Sequence, residues 1–176
     1  MDARLHQLQG KAEGVTPSDL QTLIRACYLE RVALLMRHEE AARHVSDYDI
    51  NNAYQYIIAR EETHLSWLQQ ALLSLGGAIP PDPPRPTVKA PGKGDAWKSL
   101  AAEDARTNAA FVDTWRPRVE QVTNARQGGM LGVMLGEMLE HKRLFDQAAA
   151  GNTDLIGTHL PINERHGSVL RTRWIE

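Results

Sequence analysis

Apolar residues recur at helical spacing in four separate stretches of this chain, and each stretch carries its own start and stop signals. The first opens at Thr16-Pro17-Ser18-Asp19, where Thr16 can cap, Pro17 suits the first helical position and Asp19 sets negative charge at the helix start. Leu20, Leu23, Cys27, Leu34, Ala41 and Val45 then follow on one stripe, with Glu30 and His38 inside it. Ser46-Asp47-Tyr48-Asp49 breaks that pattern and can cap a second helix, predicted from about Asp49 to Leu75. Its stripe is Ile50, Tyr54, Ile57, Glu61, His64, Leu68, Leu72 and Leu75, and Gly76-Gly77 ends it. A third helix is predicted from about Asp95 to Val122, burying Trp97, Ala101, Asp104, Asn108, Phe111, Trp115, Val119 and Val122. After a break near Asn124 to Gly129, a fourth runs from about Met130 to Ala149. Its face carries Met130, Val133, Met134, Glu137, His141, Leu144 and Ala148, and Gly151 closes it.

Between the second and third helices lie Pro80, Pro81, Pro83, Pro84, Pro86 and Pro91, a stretch that reads as an extended linker. About seventeen residues at ~3.1 Å each reach roughly 50 Å, against roughly 42 Å for a helix of about 28 residues. The linker can therefore run the length of a bundle and start the third helix beside the start of the second, rather than turn straight back. The expected architecture is all-α: a four-helix bundle over residues 16–151 with a long proline-rich crossover between helices two and three. A flexible N-terminus, 1–15, precedes it. A mixed C-terminal tail, 152–176, follows, in which Pro161 and Gly167 break periodicity and Val169 to Ile175 can form a short extended piece.

Composition narrows the class. The chain has 176 residues, 42% of them hydrophobic, enough for one domain with a real core. A net charge of −2 gives no reason to expect nucleic acid or an anionic membrane as partner. The single cysteine, Cys27, leaves no internal disulfide and no cysteine-based zinc site, and reads as a small core residue. The first ten residues lack an apolar signal region and no apolar run is long enough to span a bilayer, so the expected setting is cytoplasmic.

The chemistry rests on polar residues placed on buried faces. Glu61 and His64 are three apart inside the second stripe, and burying a carboxylate or an imidazole is costly unless something pairs with it. With the turn at Asp47 as a pivot, Glu30 lies at the depth of Glu61 and His64. With the crossover, that depth falls near residues 107–112 on the third helix and 137–142 on the fourth. Glu137, Glu140 and His141 occupy the latter slot. Glu30, Glu61, His64, Glu137 and His141 are thus expected in one layer of the core, a donor set suited to iron or manganese.

With those residues in view, the chain resembles the ferritin-like superfamily of di-iron carboxylate proteins over about residues 17–150. The local match is Glu61-Glu62-Thr63-His64-Leu65-Ser66-Trp67-Leu68, followed by Leu72-Leu73-Ser74-Leu75-Gly76-Gly77, which is similar to the second helix of rubrerythrin-like members. The resemblance implies metal ligation by Glu30, Glu61, His64, Glu137, His141 and Glu140. It implies two irons per chain, with manganese as an alternative. Iron oxidation, or oxygen or peroxide chemistry of a ferroxidase or peroxidase kind, is the activity it implies. The family pattern of Glu, Glu-x-x-His, Glu, Glu-x-x-His is met in its first half only. The third helix offers Asp104 and Asn108 where a glutamate is expected, and Glu137 and His141 are four apart, so His141 can stand behind Glu140.

Blander readings stand beside each of these. A buried Glu30 can be salt-bridged by Arg31 or Arg60, and Asp104 and Asn108 can be helix–helix hydrogen bonds. Met130, Met134, Met138, Trp67, Trp97 and Trp115 read as packing, and His159 and His166 as solvated loop histidines. Three functions follow: a di-iron oxidoreductase or iron-handling protein, a bundle with a degraded site serving a structural or partner-binding role, or metal binding without redox turnover. Leu131, Leu135 and Leu139 lie off the fourth stripe, and such a second apolar face predicts a homodimer.

Overall fold

Four helices make up the regular structure of this chain in its computed structural model, which describes residues 17–90, 92 and 96–157. They are α1 (Pro17–Ala42), α2 (Tyr48–Ser74), α3 (Trp97–Val119) and α4 (Ala125–Ala149), with no strand among the described residues. None of these helices is long and apolar enough to cross a membrane. Thr16, the N-terminal segment, His159, His166 and the Val169 to Ile175 stretch lie outside the described residues.

Local chemistry sets the helix ends. The Asp47 side chain accepts from the backbone N–H groups of Asp49 and Ile50, satisfying two of the donors that open α2. Gly76, at φ +75°, ends it with the left-handed residue that glycine adopts without penalty. The fourth helix starts earlier than its apolar stripe predicts. Asn124 caps it by accepting from the Gln127 N–H, so Gly128 and Gly129 belong to its first turns rather than to a break.

Partner residues fix the helix directions. His38 and Arg31 of α1 meet Glu61 and His64 of α2, the later residue of one helix against the earlier of the other, so the two are antiparallel. Tyr54 against Phe145 and Arg60 against Glu137 make α2 antiparallel to α4. Arg37 against Asp104 and Glu30 against Trp115 make α1 antiparallel to α3.

Two apolar clusters fill the bundle. One gathers Ile24, Tyr28, Leu35, Leu68, Leu72, Trp115, Leu131, Met134 and Met138. The other gathers Val45, Ile50, Tyr54, Ile57, Trp97, Leu100, Phe145 and Ala148, and takes in Val88 from the proline-rich stretch. A fully buried Leu or Ile contributes about 1.5–3 kcal/mol, so these clusters supply the driving force of the fold. A layer of polar side chains meets the clusters: Arg31, His38, Glu61, His64, Asn108 and His141, each at most 2% exposed.

Two faces differ from the sequence pattern. In α4, Leu131 and Leu135 are core residues at 1% and 8% exposure, whereas Val133 is exposed. The helix is rotated so that Leu131, Met134, Met138, His141 and Phe145 point inward. Of the three leucines expected on a second apolar face, only Leu139 is exposed. In α1, Arg31 rather than Glu30 faces the core.

Candidate polar site in the bundle core

Glu61 stands at the centre of the polar layer, on the inward face of α2, and is completely buried. Its Oε2 accepts from His38 Nδ1 at 2.8 Å. Its Oε1 lies 3.2 Å from Arg31 Nη1, an ion contact rather than a well-aligned hydrogen bond. Burial alone pushes this carboxyl up, but the neighbouring His38 and Arg31 outweigh burial and hold it at about 2. Glu61 is therefore ionised at any ordinary pH, and His38 must be the donor in their bond.

His64, one turn further along α2, links two charges. Its Nε2 lies 2.9 Å from Glu137 Oε2, and its Nδ1 3.2 Å from Arg31 Nη2. A carboxylate only accepts and a guanidinium only donates, so Nε2 carries the proton and Nδ1 presents its lone pair to Arg31. Burial, then the charge of Arg31, lower the pKa of His64, consistent with a neutral ring. Glu137 sits at the edge of the layer, in a two-pronged pair with Arg60 at 2.5 and 3.0 Å. That pairing, helped by His64, lowers its pKa against a smaller effect of burial.

Arg31 joins these groups. It is fully buried, its Nη1 also donates to Met138 Sδ at 3.1 Å, and its Cζ lies 5.6 Å from the Phe111 ring centre. His141 stacks on His64 with ring centres 6.2 Å apart, and burial pushes it down to about 4, leaving it neutral at pH 7. Beside the layer, Asp104 accepts from Tyr54 at 2.6 Å and from Arg37 at 2.7 Å. Several buried polar atoms of the layer make no hydrogen bond: His38 Nε2, His141 Nδ1, Arg31 Nε and both side-chain polar atoms of Asn108.

The six sequence-predicted site residues separate accordingly. Glu61, His64, Glu137 and His141 share one layer, as their depth predicted. Glu30 and Glu140 do not join them. Glu30 is on an exposed position, accepting from the Trp115 indole at 2.7 Å and lining a groove of about 310 Å³ between α1 and α3. Glu140 is exposed and pairs with Arg143. Asp104 and Asn108 are both buried, and Asp104 makes the helix–helix bonds described above.

Pattern reading missed Arg31 as a site residue and gave His38 no partner. Both fall at helical spacing in Ile24, Tyr28, Arg31, Leu35 and His38, but an arginine inside an apolar stripe is passed over because arginine is seldom buried.

A dinuclear carboxylate centre needs several anionic oxygens converging on two metal ions. In this core the layer's one fully buried carboxylate, Glu61, is shared between Arg31 and His38, and Glu137 is taken up by Arg60 and His64. Among the described residues, no group of three or more His, Cys, Asp or Glu side chains is arranged to hold a metal ion. The residues as arranged do not fit a di-iron site. Comparison with family models, with curated proteins and with solved structures finds no match for this chain.

Proposed function

We propose that this chain is a ferritin-like bundle with a degraded site, working without redox turnover as a structural or partner-binding protein. The observation that carries this reading is Arg31. A metal ion would neutralise buried carboxylates and accept imidazole lone pairs, and the guanidinium does both from within the chain. The long crossover belongs to the same proposal. Gln21 near the start of α1 bonds Leu75 at the end of α2, whereas Arg85 pairs with Glu39 near the other end of α1. Chain travel along the bundle between residues 75 and 85 accounts for both contacts, and ferritin-like bundles carry one such connection.

Elemental analysis and thermal melting test this. Protein purified without a histidine tag is expected to hold no stoichiometric iron or manganese and to melt at the same temperature with and without chelator. Iron or manganese bound at a fixed ratio and lost in Glu61→Ala would overturn it.

The second reading is the metal centre itself, two irons or manganese ions per chain acting on Fe(II) with oxygen or peroxide. It is supported by the shared layer of Glu61, His64, Glu137 and His141, and by the unpaired His38 Nε2 and His141 Nδ1. It requires Arg31 to leave the core. Metal bound without oxidation of added Fe(II) would point instead to simple metal binding.

A further inference from the structure

The environment of Arg31 is that of a bound cation. Three Lewis-basic atoms converge on one guanidinium: a carboxylate oxygen, Glu61 Oε1, at 3.2 Å, an imidazole nitrogen, His64 Nδ1, at 3.2 Å, and a thioether sulfur, Met138 Sδ, at 3.1 Å. Each imidazole of the layer that touches Glu61 or Arg31 has its tautomer set by a carboxylate. Glu137 accepts a hydrogen bond from Nε2–H of His64, and Glu61 accepts one from Nδ1–H of His38. A carboxylate behind a histidine, fixing the tautomer and turning the other nitrogen's lone pair toward a cation, is the arrangement that supports metal-bound histidines. His141, neutral and with Nδ1 unpaired, stacks beside His64 in the same layer.

We propose that Arg31 stands in for a divalent metal ion, and that the core holds a latent mononuclear site which the guanidinium keeps closed. This rests on the metal-free reading above and goes beyond it. It assigns the donors, Glu61, His64 and Met138, and the residue that excludes metal. The mixed oxygen, nitrogen and sulfur set suits a borderline ion such as Co(II), Zn(II) or Fe(II) rather than Mg(II) or Ca(II). Removing the guanidinium leaves Glu61 Oε1 without its cation and His64 Nδ1 without its donor, and a divalent ion meets both needs.

The test uses the full chain and Co(II) as probe, read by equilibrium dialysis and visible ligand-field absorption. Wild type and Arg31→Lys, which keeps a cation in place, are expected to bind no Co(II) at the core. Arg31→Met, which keeps an unbranched side chain and removes the guanidinium and its charge, is expected to bind on the order of one Co(II) per chain. Adding Glu61→Gln to Arg31→Met should abolish that binding. If Arg31→Met is unfolded without metal, Co(II) is expected to restore its helical circular dichroism, and failure to do so overturns the proposal. A folded Arg31→Met that binds no Co(II) overturns it and leaves the metal-free reading standing. Wild type binding Co(II) as Arg31→Met does, with loss in Glu61→Gln, overturns both.

Discussion

Replacing Glu61 with leucine removes the carboxylate that, among the described residues, pairs with the fully buried Arg31 guanidinium. In the wild type, Glu61 faces Arg31 at 3.2 Å and His38 at 2.8 Å, and all three side chains are inaccessible to water. In Glu61→Leu the charge of Arg31 remains in the core with a histidine lone pair and a thioether for company, and His38 loses its acceptor. Breaking a buried pair from one side costs about 3–5 kcal/mol, a large part of the ~5–15 kcal/mol by which domains are stable. Arg31→Met strands Glu61 instead and should cost a similar amount. The double variant Arg31→Met/Glu61→Leu leaves no unpaired charge, and apolar side chains of matching size replace a buried ion pair at little or no cost. What remains is the loss of partners by His38 and His64, about 1–3 kcal/mol for an unsatisfied buried group. The double variant should therefore be more stable than either single one. Urea denaturation followed by far-UV circular dichroism at pH 7.5, with chelator present, measures all four proteins. A double variant as unstable as the sum of the two single changes would show that Arg31 and Glu61 are not energetically coupled, and would refute a core organised around their pairing.

Three further outcomes are expected. Stability should be level above about pH 6.5 and fall in acid, because the folded pKa values of His141, about 4, and Glu61, about 2, both lie below the unfolded values. The unfolded chain then binds more protons, first between about pH 6.5 and 4 for His141 and then between about 4.3 and 2 for Glu61, each worth about 3 kcal/mol at most. A urea midpoint unchanged between pH 7 and pH 4 would contradict this. Asn108→Leu removes two buried polar atoms without hydrogen bonds and should stabilise the bundle by about 1–3 kcal/mol, visible as a higher urea midpoint. Gly132→Ala adds a methyl with no atom within 4 Å, and should stabilise α4 by up to about 1 kcal/mol with the gel-filtration volume unchanged. Lost stability or a shifted elution volume would place a second copy of the chain on the face that carries Gly132 and the exposed Leu139.

The sequence by itself determined the number of helices, the caps at Asp47 and Gly76, and the common depth of Glu61, His64, Glu137 and His141. Those features depend on spacing along one helix and on chain length between turns, quantities that a sequence carries directly. The facing of α1 and α4 was decided by the tertiary structure. Neighbouring residues differ by roughly 100° around a helix, so the rotational setting of each helix decides whether Glu30 or Arg31, and Val133 or Leu131, reaches the core. Which partner neutralises a buried carboxylate is likewise a matter of distances between helices, and no spacing within α2 encodes the guanidinium that α1 brings to Glu61. That Arg31 meets Glu61 at 3.2 Å followed from the setting of α1.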